Sequence, residues 1–195
     1  MERLRHFSPE ILRQLPNAVV MVGLHASGKT AFCRSQLEAI GFRHISFDDE
    51  LVKITKDRQK MNEALVVSEE EGVVNVRGID AFKEAIDTRV FGNVLAQMIR
   101  TLAEGKKAVF EGANVNRDTR GVIVKILRKH GVLHIGCVWM NTPLDECLRR
   151  LQERSTRYPE KRLVEVFEYA SAFTPPTIDE GFDIVLEVPF VRKHR

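Results

Sequence analysis

The run Gly23-Leu24-His25-Ala26-Ser27-Gly28-Lys29-Thr30 sets two glycines, a lysine and a hydroxyl at the spacing G-x-x-x-x-G-K-[ST]. Gly23 and Gly28 allow backbone N–H groups to converge on phosphate oxygens, and the helix that starts behind them adds its positive end. In that arrangement Lys29 reaches the β- and γ-phosphates of a nucleotide and Thr30 the Mg²⁺ that travels with them. Ala26, Ser27 and Ala31 complete the cradle, and His25 reads as a solvated side chain of the loop rather than a catalyst. The ligand this chemistry needs is a nucleoside triphosphate, ATP or another NTP. The chain shows neither the Asn/Thr-Lys-x-Asp that reads guanine nor the Asp-x-x-Gly of a switch GTPase.

What receives the phosphate is addressed by two further groups. In "ISFDDEL", Asp48 and Asp49 follow directly on an apolar run, where a carboxylate can take the proton of an attacking hydroxyl or hold Mg²⁺. The alternative for these acids is to cap the next helix. Arg149, Arg150, Arg154 and Arg157 crowd a later helical segment, with Arg150 and Arg154 on one face. They suit a lid that lays guanidinium groups over a transferring phosphate, or a solvated basic face.

These residues need elements to position them. "AVVMV" before the loop is a β-branched run with little alternation, the pattern of a strand covered on both faces. "KTAFCRSQLEAI" has helical spacing up to Gly41, and "FRHISF" reads as a second strand. A polar helix is expected from Asp49 to about Lys60, then two short strands or an ordered loop around Gly72. Residues 79–105 form a long helix, or a pair kinked at Gly92. "KAVFEG", "VLHIGCVWM" and "FDIVLEV" are further strands, separated by "RDTRGVIVKILRKHG", "TPLDECLRRLQERS" and "PEKRLVEVFEYASAF" as helices. "SPEILRQL" adds a short helix at the start. Alternating β and α elements imply an α/β fold whose parallel sheet carries helices on both faces and ligands at the carboxyl ends of its strands.

Bulk properties fit one domain over residues 1–195, with a helical lid at about 143–175. The 195 residues are 44% hydrophobic, enough for a core, and a formal charge of +3 permits an anionic partner without demanding one. Cys33, Cys137 and Cys147 lack metal-ligand spacing and read as reduced core thiols. No segment has the length and apolarity of a signal peptide or a membrane span, so a cytoplasmic protein with no membrane partner is expected.

Taken in order, "GLHASGKT", "FDD", "FEGANVNRDTR", "CLRRLQER" and "PPTIDEGFDIVLEVPF" resemble the polynucleotide 5′-hydroxyl kinases, the kinase modules of phage and animal end-healing enzymes and their small P-loop relatives. The likeness runs from Val19 to Phe190. It implies an adenylate-kinase-like P-loop NTPase sheet of about five strands in the order 2-3-1-4-5. It also implies ATP-dependent transfer, with Mg²⁺, to the 5′-hydroxyl end of DNA or RNA in nucleic acid repair, alongside separate phosphatase or ligase proteins. On this resemblance Lys29 binds phosphate, Thr30 and Asp48 serve the Mg²⁺, Asp48 is the general base, and Arg150 and Arg154 contact the ATP phosphates. The acceptor site would comprise Phe47, Asp49, Glu111, Asn114 and Arg120. The chain departs from the family at Phe47, where an arginine is common, and at Leu51, where the phage enzyme has an acceptor-phosphate arginine. It departs again at Gly112-Ala113-Asn114 in place of Asp-Thr-Asn, which leaves Glu111 as the nearby acid. Phe47 is placed either to stack on a terminal base or to join the core. Lys53, Lys56, Arg58, Lys60 and Arg77 suit a nucleic-acid backbone or an ordinary mixed-charge surface, since Glu69, Glu70 and Glu71 lie between them. The competing enzyme reading is a small-molecule P-loop kinase acting on a nucleoside, sugar or nucleotide-sugar hydroxyl, as zeta-like toxins do.

Overall fold

The structure is a computed structural model that describes residues 9–56, 76–154 and 161–191. Five parallel strands form one sheet in the order β2-β3-β1-β4-β5. They are β1 (Ala18–Val22), β2 (Phe42–Ser46), β3 (Lys107–Glu111), β4 (Ile135–Asn141) and β5 (Ile184–Pro189). The helices are α1 (Pro9–Arg13), α2 (Lys29–Phe32), α3 (Phe47–Lys56), α4 (Val76–Ala103), α5 (Arg117–Lys129), α6 (Leu144–Arg154) and α7 (Lys161–Ser171). The sheet order is the one the resemblance implied.

β1 is buried at every position, as its unalternating apolar sequence requires. Its residues divide between two cores. Ala18, Val20 and Val22 face Val90, Val94, Leu95 and Met98 of α4 and Ile123, Val124 and Leu127 of α5. Val19 and Met21 face Leu12 of α1, Phe32 of α2 and Leu37 beyond it. This two-sided cover fixes the strand that delivers the glycine loop.

Three details differ from the sequence expectations. α2 runs on as a π-helical turn (Cys33–Leu37) and a 3₁₀ turn (Glu38–Ile40), so the segment up to Gly41 is helical without being a uniform α-helix. α4 is one helix of 28 residues and passes through Gly92 without a break, since a lone glycine with no proline or inserted side chain beside it does not by itself kink a helix. α3 starts at Phe47, two residues before the expected Asp49, because Ser46 supplies the cap: its Oγ accepts the Asp49 backbone N–H at 3.3 Å. The segment around Gly72, with Arg58, Lys60, Glu69, Glu70 and Glu71, lies outside the described residues.

The last strand is tied back through Arg120, in the second turn of α5. Its Nε and Nη2 donate to the two carboxylate oxygens of Glu180 at 2.6 and 2.8 Å, and Nη1 donates to the carbonyls of Asn114 and Val115 at 3.1 and 3.0 Å. Nη2 also donates to Thr174 Oγ1 at 3.2 Å. The two charged side chains are 0% and 1% exposed. The acceptor-binding role expected of Arg120 is therefore corrected: its guanidinium is wholly enclosed and all its donors are spent inside the fold. "FEGANVNRDTR" and "PPTIDEGFD" are two halves of one buried latch.

Removing one member leaves the other charge buried and unpaired, which costs about 3–5 kcal/mol. Arg120→Met and Glu180→Met should each lose that much in urea denaturation, while the double variant should lose clearly less than the sum. Simple additivity would contradict the ion-pair account.

Candidate active site

β1 ends at Val22, and the chain turns sharply into α2. The turn uses Gly23 at φ 152°, Ala26 at φ 60° and Gly28 at φ 104°. A Cβ at Gly23 would meet Ser27 Oγ at 2.8 Å and the Met140 carbonyl oxygen at 3.0 Å, so glycine is required there by space as well as by backbone angle. Positive φ values alternating with ordinary ones turn successive N–H groups toward a common point, which is the geometry of an anion nest.

The Lys29 ammonium donates to the carbonyls of Gly23 and Leu24 at 2.8 and 2.7 Å. Burial pulls this lysine below its ordinary range, and the charges of Glu111 and then Asp48 oppose that pull. Both carboxylates thus act on the ammonium from the strand ends. Ser27 is 2% exposed, and its hydroxyl has no hydrogen-bond partner among the described residues. A buried hydroxyl without a partner in the wall of a nest fits an oxygen-rich ligand.

Parallel pairing sets Ser46 of β2 beside Glu111 of β3, so the ends of these strands emerge together, with Asp48 just beyond one and Glu111 on the other. Glu111 is 7% exposed. Its Oε1 accepts the Thr30 hydroxyl at 2.5 Å and its Oε2 lies 2.5 Å from His44 Nε2. Burial would raise this carboxyl, but the contacts with His44 and Thr30 and the Lys29 charge outweigh it and hold the group below the ordinary carboxylate range. Thr30, Glu111 and the exposed Asp48 make a hard oxygen set beside the phosphate nest, the donor chemistry that suits Mg²⁺. The Glu38 carboxylate lies 3.5 Å from the other ring nitrogen of His44. Burial, reinforced by Glu111, pushes the Cys33 thiol up.

The acids of "FDD" are not the cap of α3, a role Ser46 performs. Asp48 and Asp49 are both exposed in its first turn. The helix is anchored one residue later: buried Glu50 accepts Asn93 and Gln97 of α4, each at 3.0 Å. Phe47 and Leu51 pack against the larger core, so Phe47 takes the core alternative. Asn114, expected in the acceptor site, is 7% exposed at φ 48° and donates its amide to the Met21 carbonyl at 2.8 Å. It is a strut beneath the glycine loop, since its amide is spent on β1.

From the lid side, Arg150 donates through Nη1 to the Ala26 carbonyl at 3.1 Å and through Nε to Glu146 at 2.7 Å, with Phe190 below its guanidinium at 5.3 Å. Arg149 forks onto the same Glu146 at 2.8 Å and also pairs with Glu153. Arg154 ends α6, its side chain outside the description, and Arg157 lies outside the described residues. His25 is not simply solvated: its ring stacks on Tyr169 of α7 at 5.1 Å, because α7 lies across the loop. Sequence reasoning missed His44, Glu38 and Glu146. A histidine inside a strand and glutamates on helices carry no motif, and only the β2–β3 register and the fold of α6 over the loop give them neighbours.

The AAA domain family model matches residues 19–176, and the chain belongs to that family. A protein from Chloroflexus aurantiacus, provisionally described as a kinase, superposes with a TM-score of 0.60 at 14% identity, over 88% of this chain and 84% of its own. A gluconokinase from Sinorhizobium meliloti gives 0.55 at 17% identity, over 92% and 85%. A chain of the Pnkp1/Rnl/Hen1 RNA repair complex gives 0.50 at 15% identity, over 82% of this chain and 47% of its own. The fold is that of the P-loop kinases. Among the described residues no helix is long and apolar enough to cross a membrane.

Glu146 gives a pH signature. Arg149 first, with Arg150 adding, holds its carboxyl at about 2, against an ordinary 4.5. A depressed carboxylate stabilises the fold above its ordinary range and loses that contribution as pH falls from about 5 toward 2. Thermal unfolding across that window should decline more steeply for the parent than for Glu146→Gln; parallel curves would refute the assignment.

Proposed function

We propose that this chain is an ATP-dependent polynucleotide 5′-hydroxyl kinase, which moves the γ-phosphate of ATP or another NTP onto the 5′-hydroxyl end of DNA or RNA in repair. The observation that carries a hydroxyl-directed transferase is Asp48: an exposed carboxylate at the end of β2, outside any capping role, whose charge is felt at the nucleotide-binding lysine. A protein that only binds nucleotide has no use for a carboxylate so placed. The polynucleotide acceptor is supported by the ordered run of motifs from "GLHASGKT" to "PPTIDEGFDIVLEVPF".

In the proposed reaction the glycine loop takes the phosphates. Lys29 exchanges two neutral carbonyls for phosphate oxygens, which make stronger, charge-assisted bonds. Thr30, Asp48 and Glu111 would hold the Mg²⁺, which would supply charge neutralisation for the phosphates. Arg150, already at the loop through Ala26, lies within reach of charge that develops on the transferring group, and Arg154 follows one helical turn later. An Asp48 carboxylate oxygen takes the proton of the 5′-hydroxyl as its oxygen bonds to the γ-phosphorus. The bond from that phosphorus to the β–γ bridging oxygen breaks, ADP leaves, and the proton passes to solvent. Separate phosphatase or ligase proteins would prepare and consume such ends.

One observation favours a smaller acceptor. Leu51 packs against the core at the position where the phage polynucleotide kinase carries its acceptor-phosphate arginine. A sugar or nucleoside hydroxyl needs no such cation.

The two acceptors are separated by incubating the chain with γ-labelled ATP and Mg²⁺ beside 5′-hydroxyl and 5′-phosphate oligonucleotides, nucleosides and sugars. Label on the 5′-hydroxyl strands alone is expected; label on a sugar or nucleoside alone would replace the polynucleotide reading with the smaller acceptor. Asp48→Asn should lower transfer about 10²–10⁴-fold while ATP binding is retained. Near-normal turnover in that variant would remove Asp48 as the base.

A further inference from the structure

We propose that Cys33, His44 and Glu111 form a binding site for a thiolate-accepting divalent cation of the Zn²⁺ class, set behind the Thr30 hydroxyl. One sulfur, one imidazole nitrogen and one carboxylate oxygen from these residues all lie within 4.8 Å of one another. Around a four-coordinate Zn²⁺ such donors stand about 3.5 Å apart. Receiving a cation therefore takes side-chain movements of about 1 Å, including separation of His44 Nε2 and Glu111 Oε2, which lie 2.5 Å apart. The cluster is enclosed: Cys33 is 0% exposed, and the His44 and Glu111 side chains are 7% and 9% exposed.

A second observation points to a metal rather than to accidental packing. The Glu38 carboxylate lies 3.5 Å from His44 Nδ1 while Nε2 is directed at Glu111. A carboxylate near the second ring nitrogen is where the outer partner of a ligating histidine sits, and the cation would take the place of the proton that Nε2 and Glu111 Oε2 share, leaving the ring proton on Nδ1 toward Glu38. Cys33 also opens the π-helical turn after the glycine loop, a local widening of the helix often found at functional positions.

The donor set selects the ion. Sulfur and imidazole favour Zn²⁺ or Co²⁺ over Mg²⁺, which suits the all-oxygen set at Thr30 and Asp48. Charge balances as well: the cation displaces the thiol proton to solvent, and one thiolate with one carboxylate neutralises the dication in an enclosed site. The two sites share Glu111, whose Oε1 serves Thr30 and whose Oε2 faces His44. On the Mg²⁺ assignment made above, a cation on the His44 side ties Glu111 down and lowers affinity for Mg²⁺-nucleotide.

The test is a Co²⁺ titration of the full chain, followed by near-ultraviolet and visible absorption. It needs neither acceptor nor turnover, so its result is independent of the kinase reading. A thiolate-to-cobalt band saturating at one equivalent is expected, lost in Cys33→Ala and bleached when Zn²⁺ is added. Glu38→Gln should weaken Co²⁺ binding about tenfold. Circular dichroism checks that Cys33→Ala is folded, and His44→Gln serves as the second ligand variant. No such band in the parent, or a band that survives in both ligand variants, would overturn the proposal.

Discussion

Everything at the carboxyl edge of this sheet is organised around one buried carboxylate. Glu111 ends β3 between the Thr30 hydroxyl on one side and the His44 imidazole on the other. A carboxylate taken so far out of water is costly unless its oxygens are hydrogen-bonded and an opposite charge is near. Here both conditions hold, with the Lys29 ammonium supplying the charge. The arrangement in turn restricts the glycine loop, since Thr30 can reach Glu111 only if α2 starts where it does, and restricts β2, since His44 reaches it only in the observed parallel register. Loop, strand and helix are therefore held in mutual position before any ligand arrives.

A second network fixes what faces this carboxylate. Glu50 is clasped by Asn93 and Gln97, which holds α3 on α4 and leaves Asp48 exposed two residues earlier. Asn114 ties the turn after β3 to the carbonyl of Met21, and the Ala113 carbonyl accepts the Gly23 N–H at 3.1 Å. The glycine loop thus rests on the neighbouring loop, and that loop rests on Arg120 and Glu180. Precision at the phosphate end is paid for by polar struts some distance from it, a common way to hold a site rigid.

Local chemistry was legible from the sequence where the signal is local. The glycine spacing, the buried character of β1 and the acids following β2 each depend on neighbours within a few residues. The role of Arg120 was not legible, because its partner lies 60 residues away and a helical arginine near a loop looks the same whether it faces a ligand or a buried glutamate. Phe47 was ambiguous for a related reason: one intermediate aromatic beside a site satisfies either environment until the packing of α3 on α4 is known. His44 meets Glu111, and Glu38 meets His44, only through sheet register and the irregular turns after α2, neither of which has a sequence code. The strand order came from the resemblance, not from periodicity, which gives alternation but no lateral sequence.

The cations of the loop are already occupied. Lys29 rests on two carbonyls and Arg150 on a third, all belonging to the glycine loop itself. An incoming anion must therefore replace several internal acceptors at once, and a weakly charged or monodentate one gains little from the exchange. Polyphosphates, which offer many oxygens along one chain, gain at every position. On the proposed reading, the self-bonded loop would set a threshold on ligand charge, favouring polyphosphates over small anions without any contact devoted to excluding them.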